Sequence, residues 1–207
     1  MTYEDFLPFV LPRVPTCPRD TAIHHIRQAA IEFCERTQVW EEDLDTLLAD
    51  GFSTSYALAI DDQVAVSKLR EVWVQNGADA SPCEYDVTVP SEGREAVRNG
   101  NTRNVAWTED RASIGVSPAP LVDSAIDVTA TLKPSQASYS FPDNLFEHHA
   151  RFIAAGALAE LFCVGEWANE LKADVERGKF NDAIASAART AERGHARQRR
   201  SKSVRFL

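Results

Sequence analysis

The stretch PRDTAIHHIRQAAIEFCERTQV, residues 18–39, decides the fold of the helical part of this chain. Its core-facing positions recur at three- and four-residue steps, which is the spacing of one face of an α-helix. These positions are Ile23, Ile26, Ala30, Phe33 and Thr37. Pro18 suits a first helical turn, and Asp20 favours the positive end of the helix dipole. We therefore predict an amphipathic helix over residues 18–39.

A shorter helical segment precedes this helix. Thr2 followed by Asp5 resembles a capping box with Asp in place of Glu. The segment is predicted to extend to about Leu11, where Pro12 limits it.

The periodicity changes after Gly51. A half-buried strand is predicted where apolar residues alternate with others, at Tyr56, Leu58 and Ile60. The composition of residues 64–74 is also typical of a β-strand. Further strands are predicted at 84–89, 105–107, 114–116 and 125–132. A turn is predicted at Asn76-Gly77, and a polar loop over residues 91–101. The short connections predict a mostly antiparallel module of five to six strands over residues 53–134.

Helical periodicity returns after Pro142. Asp143 is a good N-cap or first-turn residue, and the apolar pattern predicts a helix to about Cys163. A final helix is predicted from about Trp167 to Arg193, with Gly178 and Gly194 weakening or ending it.

This order of elements predicts an α+β fold. The N- and C-terminal helices are expected to form one helical bundle, with an inserted antiparallel β-rich module and an extended C-terminal arm. The predicted parts are residues 1–52 (N-terminal helical part), 53–135 (β-rich insertion), 136–195 (C-terminal helices completing the bundle) and 196–207 (basic C-terminal arm).

Composition places the chain among ordinary globular proteins. Of its 207 residues, 44% are hydrophobic and 26% charged, and no apolar run is long enough to span a membrane. No secretory signal is expected, since Pro8 and Pro12 interrupt the apolar character of the first residues. The net charge is −9, but residues 189–207 carry seven basic residues against one acidic residue, a local charge of +6. The rest of the chain, at −15, would repel nucleic acid, while its C-terminal segment would attract acidic surfaces.

Motifs that carry chemistry are missing from the sequence. The four cysteines form no C-x-x-C pair, so reduced and mostly buried thiols are expected; they are Cys17, Cys34, Cys83 and Cys163. The pairs His24-His25 and His148-His149 point about 100° apart on a helix, which disfavours a shared metal ion. There is no nucleophile elbow, P-loop or dinucleotide-binding fingerprint. We expect no catalytic, cofactor or metal site, and no enzyme activity.

Two charged segments and the tryptophans are candidates for contacts. The acidic run contains Glu41, Glu42, Asp43 and Asp45 and is interpreted as a solvated face, with a lining that repels passing DNA as the alternative. The four tryptophans are expected to pack in the core or in subunit contacts; they are Trp40, Trp73, Trp107 and Trp167.

The C-terminal arm combines basic residues with an apolar tip. The arm residues are Arg197, Arg199, Arg200, Lys202, Val204, Arg205, Phe206 and Leu207. Residues 197–202 cannot bury their charges, so the arm is predicted to be disordered alone and to dock on a partner by strand addition or insertion into a pocket. A frayed, solvated tail and non-specific nucleic-acid binding remain the alternatives.

Several stretches together resemble a protein family. They are YEDFLPFVLP at 3–12, Val14-Pro15, AAIEFCER at 29–36, Trp40, FPD at 141–143, AAGALA at 154–159 and the arginine-rich C-terminus. In order of elements the chain resembles the head-to-tail connector proteins of tailed bacteriophages, also called adaptor or neck proteins, which include the tail tubular protein A group.

The resemblance implies a structural virion protein of the phage neck, assembled in the host cytoplasm. It implies a homo-oligomeric ring of about twelve copies beneath the portal protein. Such a ring extends the channel through which DNA passes without sequence-specific binding, offers a platform to tail or nozzle proteins, and serves genome ejection. The arm would hold the portal or a neighbouring subunit. No membrane contact and no cofactor are implied.

Two other hypotheses stay open at this point. The chain could be a nucleic-acid-binding regulatory protein that uses its basic tail, although the acidic body argues against this. It could also be a hydrolase whose catalytic groups converge only in the folded protein.

Overall fold

The computed structural model describes residues 1–77, 80–99 and 103–202, with residues 195–202 described by their backbone alone. The chain forms two compact units, one of residues 1–39 together with 134–207, and one of residues 40–133. We call them the helical unit and the β unit. The chain therefore leaves the helical unit once and returns to it, as an insertion requires.

The N-terminal helices begin with 3-10 turns around a short α-helix. A 3-10 helix at Tyr3–Phe6 leads into α1 (Leu7–Val10), and a second 3-10 helix covers Leu11–Arg13. The predicted capping box forms, because the backbone N–H of Thr2 donates to Asp5 Oδ2 at 2.7 Å. The long helix α2 spans Arg19–Thr37, close to its predicted bounds, and Gln38 ends it in the left-handed conformation.

The β unit contains eight strands and one helix among its described residues. These are β1 (Glu41–Asp43), β2 (Leu47–Leu48), β3 (Ser55–Ala57), β4 (Val64–Gln75), β5 (Cys83–Val87), α3 (Pro90–Arg98), β6 (Val105–Thr108), β7 (Ser113–Ser117) and β8 (Ala125–Pro134). The strand order is β1-β8-β4-β5-β6-β7-β3, and β2 also pairs with β8.

The sheet is mixed, which corrects the antiparallel prediction. Strands β5 and β6 run parallel, with Asp86 opposite Val105. Parallel neighbours need a crossover connection, and helix α3 supplies it in the segment predicted to be a polar loop. The pairs β1–β8, β2–β8, β3–β7, β4–β5 and β6–β7 are antiparallel as expected.

The β unit also begins earlier than predicted. The acidic run was assigned to the N-terminal helical part, but its residues form β1, which pairs with β8 in the register Glu41 to Thr131. The boundary therefore lies between residues 39 and 40 and not at 52. Acidic residues have low strand propensity, so it is the pairing with β8 that makes this segment a strand.

Trp107 is the largest buried side chain of the β unit and joins α3 to the sheet. Its ring lies against Gly93 of α3 and Gly115 of β7, where a Cβ atom would come within 2.3 Å and 2.1 Å of ring atoms. The two glycines therefore admit the indole because they have no side chain.

The C-terminal helices complete the helical unit. Helix α4 spans Asp143–Leu161, a 3-10 helix covers Gly165–Trp167, and α5 runs over Glu170–Lys202. Neither Gly178 nor Gly194 ends α5, so the predicted end near Arg193 was wrong by about two and a half turns. Nothing lies within 4 Å of a Cβ built at either glycine, so neither is required by packing.

Helices α2, α4 and α5 pack against one another. Small residues of α4 allow the close approach: a Cβ built at Gly156 would lie 2.9 Å from the Phe180 ring of α5. Phe33 of α2 completes this contact, with its ring 6.3 Å from that of Phe180 and 4.8 Å from that of His149.

The first residues of the chain pair with the segment that follows β8. The N–H of Tyr3 donates to the carbonyl of Tyr139 at 3.4 Å, and the N–H of Phe141 donates to the carbonyl of Met1 at 2.8 Å. The hydroxyl groups of Tyr3 and Ser138 lie 2.8 Å apart in the interior. These contacts hold the two sequence-distant parts of the helical unit together.

We predict that Gly115→Ala destabilises the protein by about 1–3 kcal/mol, because the added methyl group overpacks the Trp107 ring. Gly178→Ala is the matched control and should stabilise the helix by about 0.5–1 kcal/mol, since its Cβ meets open space. Urea unfolding followed by tryptophan fluorescence and far-ultraviolet circular dichroism measures both. Equal midpoints for Gly115→Ala and the parent protein would contradict the packing argument.

Candidate functional site

The predicted acidic residues lie along one end of the sheet. Glu41, Glu42 and Asp43 form β1, and Asp45 follows it. The Asp43 carboxylate accepts a hydrogen bond from Thr129 Oγ1 at 2.6 Å, and Glu42 Oε1 accepts one from Trp40 Nε1 at 2.8 Å. Two carboxylates of the run are therefore held in position and do not simply extend into solvent.

A groove with an apolar floor and an acidic rim lies beside β1. We call it the acid-rimmed groove, and its volume is about 300 Å³. Its floor consists of Trp40, Leu44, Ile60, Val64 and Leu132. Its rim consists of Glu42, Asp43, Asp45 and Asp61, together with Ala59. The first four floor residues are half-buried and pack on the core of the β unit, so the groove has a firm apolar base.

The charge of the groove is one-sided. Four acidic residues line it, and no lysine or arginine is among the described residues that do so. Of the four, Asp43 directs its carboxylate to Thr129, on the face of β8 opposite to Leu132. The whole stretch 40–133 carries 17 acidic and 7 basic residues, a net charge of −10. This concentration of like charge favours cationic binding partners and repels nucleic acid.

The end of β2 and two neighbouring loops of the β unit expose large apolar side chains. We call this the apolar tip, formed by Leu48, Phe52, Leu121 and Val122, of which Phe52 is 90% exposed. The loops are joined because the N–H of Asp123 donates to the carbonyl of Ala49 at 2.9 Å, and Gly51 lies against the backbone of Val122.

Asp50 holds the loop that presents Phe52. Its carboxylate accepts hydrogen bonds from the Ser53 hydroxyl and from the N–H groups of Ser53 and Phe52. These hydrogen bonds, that of the Ser53 hydroxyl foremost, lower the pKa of Asp50 to about 2. The exposed phenyl ring therefore stands on an ordered turn.

The helical unit has a second groove, which we call the α5 groove, with a volume of about 570 Å³. It is lined by Pro12, Arg13, Phe162, Leu171, Lys172, Val175, Glu176 and Lys179. Leu171 and Val175 lie one turn apart on α5 and are 80% and 57% exposed. A helix of a finished monomer does not usually present two such side chains together.

Glu176 organises the base of the α5 groove. It is 5% exposed and pairs with Arg13 and with Lys179, whose Nζ lies 2.7 Å from its Oε1. Burial alone would raise the pKa of Glu176, but the hydrogen bonds from Lys179 and Arg13 outweigh it, so the pKa lies below its ordinary value. The carboxylate thus stays ionised and ties α5 to the 3-10 helix that carries Arg13.

The histidine and cysteine residues of the described part do not form a metal-binding group. His25 Nδ1 lies 2.8 Å from Glu160 Oε2, and burial followed by the nearby His148 lowers the pKa of His149. Cys17 and Cys34 are buried, while Cys83 and Cys163 are exposed, so the expectation of mostly buried thiols holds for two of the four. Within the described ranges, no group of three or more His, Cys, Asp or Glu side chains could hold a metal ion.

The tryptophans divide between core and surface. Trp107 is buried, whereas Trp40, Trp73 and Trp167 are half-buried and donate hydrogen bonds to Glu42, Glu71 and Thr16. Trp40 forms part of the apolar floor of the acid-rimmed groove.

The predicted C-terminal arm, residues 196–207, lies outside the residues that the structure describes with their side chains. The backbone of α5 includes Arg197, Arg199, Arg200 and Lys202, but their side chains are outside the described residues, as are Val204, Arg205, Phe206 and Leu207 altogether. The helical backbone to Lys202 differs from the disorder predicted for residues 197–202. A continuous helix requires no burial of these charges, so α5 can carry them to its end.

No protein-family model matches the chain, and no curated protein matches it in sequence. Among the helices of the described part, none is both long and apolar enough to cross a membrane.

Sequence reasoning found the carboxylates of the acid-rimmed groove except Asp61, and it missed the apolar floor. Trp40 and Leu44 flank β1, whereas Ile60 lies ahead of β4 and Leu132 lies in β8, so the fold brings the floor together from three segments. The signal available beforehand was the mixture of apolar and acidic residues in the run from Trp40 to Asp45, which a purely solvated face does not need.

Glu176→Gln should lower the free energy of unfolding by about 1.5 kcal/mol at neutral pH, because it removes charge-assisted hydrogen bonds from Arg13 and Lys179. The folded-state pKa of Glu176 lies below its ordinary value of 4.5. Its contribution is therefore complete above pH 4.5 and is lost as the pH falls through the lower folded-state pKa.

Urea unfolding at several pH values tests this. The difference between parent and Glu176→Gln should be constant near neutrality and shrink below about pH 4.5. Asp174→Asn, an exposed position on the same helix, is the control and should change stability by less than about 0.5 kcal/mol. A difference that grows on acidification would contradict the assignment.

Proposed function

We propose that this chain is a structural connector of a tailed bacteriophage, which assembles as a ring beneath the portal and provides the platform for tail attachment. The observation that carries the proposal is the open apolar face of α5, where Leu171 and Val175 stand exposed beside a groove that the helical unit leaves unfilled. A protein that works by assembly needs such a face, whereas a monomer gains nothing from it.

In the proposed ring, the α5 groove of one copy receives a surface of the next copy. A contact between two different surfaces repeats around a ring and closes it. The helices α2, α4 and α5 would act as the helical bundle of the connector. The ionised Glu176 cluster fixes the base of the groove, which favours docking onto a preformed surface.

The β unit has the charge that a DNA channel requires. Its net charge of −10 would let the DNA backbone slide past without adhering. The same charge argues against the hypothesis of a nucleic-acid-binding regulator, which rests on the basic tail alone.

The apolar tip is the surface that we assign to tail or nozzle proteins. Phe52 is exposed and its loop is held by Asp50, so the ring would present one ordered apolar contact per copy. The C-terminal arm, residues 196–207, would add a contact to the portal or to the neighbouring copy. The connector acts by assembly in the virion neck and performs no turnover.

The ring contact is tested with the double variant Leu171→Gln and Val175→Gln. It should remain as stable as the parent within about 0.5 kcal/mol, since both side chains are exposed. Mixed with the portal ring from the same viral genome, the parent should form a closed ring stacked on the portal, visible by cryo-electron microscopy. The double variant should fail to close this ring.

Val97→Gln is the matched control, because Val97 is also exposed on a helix but lies in the β unit. It should assemble like the parent. Ring assembly by the double variant would remove the role of the α5 face, and absence of any parent ring would overturn the connector proposal.

A truncation after Gly194 separates the connector from the nucleic-acid hypothesis. We expect the truncated chain to bind the portal ring at least about tenfold more weakly, because the arm can no longer contact the portal or link neighbouring copies of the ring. Sedimentation of the mixture measures this loss. Unchanged portal binding, with loss of a salt-sensitive DNA mobility shift instead, would favour a nucleic-acid-binding protein.

A further inference from the structure

The acid-rimmed groove lies outside every contact assigned above. Its floor is apolar and already firm, because Trp40, Leu44, Ile60 and Val64 pack on the core below it. Its rim carries only negative charge among the described lining residues. An occupant must therefore combine apolar side chains for the floor with positive charge for the rim.

Metal ions and nucleic acid do not meet this requirement. In the described part of the chain, no group of three or more His, Cys, Asp or Glu side chains could hold a metal ion. Nucleic acid is repelled by the rim carboxylates. The chemistry that remains is a basic peptide with apolar side chains.

Such a peptide is part of this chain. Residues 203–207 read Ser-Val-Arg-Phe-Leu, and they follow a basic run that ends at Lys202. Residues 189–207 carry +6 while the β unit carries −10, so the two charges are opposite and concentrated. In an extended peptide, alternate side chains point to opposite sides. Val204 and Phe206 would then share one side, facing the floor, with Arg205 turned toward the carboxylates.

We infer that the acid-rimmed groove receives residues 203–207 of a second copy of this chain. This inference rests on the proposed ring, since it names the acceptor of the arm and makes the arm a link between neighbouring copies. Because α5 runs to Lys202, the five residues beyond it span at most about 17 Å. The end of α5 in one copy must therefore lie within about that distance of the groove of the next copy.

The link is directional. The groove belongs to the β unit and the segment to the end of α5, so each copy gives one contact and receives one. A contact of this kind closes only when the last copy meets the first. The carboxylates of the rim would also steer the basic segment before contact, which accelerates association at low salt.

The test is photo-crosslinking with the full chain. Phe206 is replaced by the photoreactive amino acid benzoylphenylalanine, and this protein is mixed with an unmodified copy labelled with ¹⁵N. The mixture is irradiated at high concentration, once alone and once with the portal ring. Mass spectrometry then locates the crosslinks. We expect links from position 206 to labelled peptides that contain residues 40–45 or 59–64.

Links confined to one copy, links to the helical unit or to the portal, or the absence of links would each overturn the inference. The ring itself is scored separately by imaging. A closed ring without these crosslinks would overturn the docking inference and leave the connector proposal intact, whereas the absence of a ring would count against the connector.

A charge-matched pair of variants tests the recognition. A fluorescent peptide of residues 196–207 is titrated onto the full chain and followed by anisotropy. Glu42→Gln with Asp61→Asn should weaken binding at least about fivefold, because two rim charges are lost. Glu84→Gln with Glu95→Gln removes the same charge from exposed positions elsewhere in the β unit and should change binding by less than about twofold.

Equal weakening by both pairs would show a general charge effect and would overturn the assignment to this groove. The aliphatic floor is checked with Val64→Thr, which nearly keeps the shape of the side chain and replaces one methyl group by a hydroxyl group. It should weaken peptide binding severalfold without altering the charge; binding equal to the parent's would overturn the placement of the apolar side chains on the floor.

Discussion

The structure depends on the pairing of the first residues of the chain with the segment that follows β8. The backbone groups of Met1 and Tyr3 bond to those of Phe141 and Tyr139, and the Tyr3 hydroxyl meets Ser138 in the interior. These contacts add to the direct packing of α2 on α4 and α5, in which Phe33 contacts His149 and Phe180. The insertion of residues 40–133 is possible because its two ends, at residues 39 and 134, both belong to this closed helical unit.

The elements that could be predicted from the sequence are those formed by local interactions, and the elements that were missed depend on contacts between distant residues. Helix α2 and the start of α4 at Asp143 follow from periodicity and capping, which are local. Strand β1 was missed because its acidic residues have low strand propensity, and only pairing with β8 makes them a strand. Helix α3 was missed because it is short and polar, and it is held by the contact between Gly93 and Trp107.

The candidate site could also be predicted only in the part that is visible locally in the sequence. The charges of Glu42, Asp43 and Asp45 are visible in the sequence, but their meaning depends on Ile60 and Leu132, which the sheet brings beside them. A charged run alone is a solvated face; the same run above an apolar floor becomes a surface with a preferred partner. The continuation of α5 past Gly194 was likewise unpredictable, since the glycine penalty of about 1 kcal/mol is small beside the stability of a long helix.

The α5 groove and the acid-rimmed groove differ in size and in charge. The α5 groove is larger and holds a buried carboxylate neutralised by Arg13 and Lys179, so its charges are satisfied internally and its exposed residues are apolar. The acid-rimmed groove is smaller and its carboxylates stay exposed, so its selectivity is electrostatic. Apolar area supplies affinity, while rim charge supplies orientation and rate. In the proposed ring, the first contact would hold neighbouring copies together and the second would distinguish the correct neighbour.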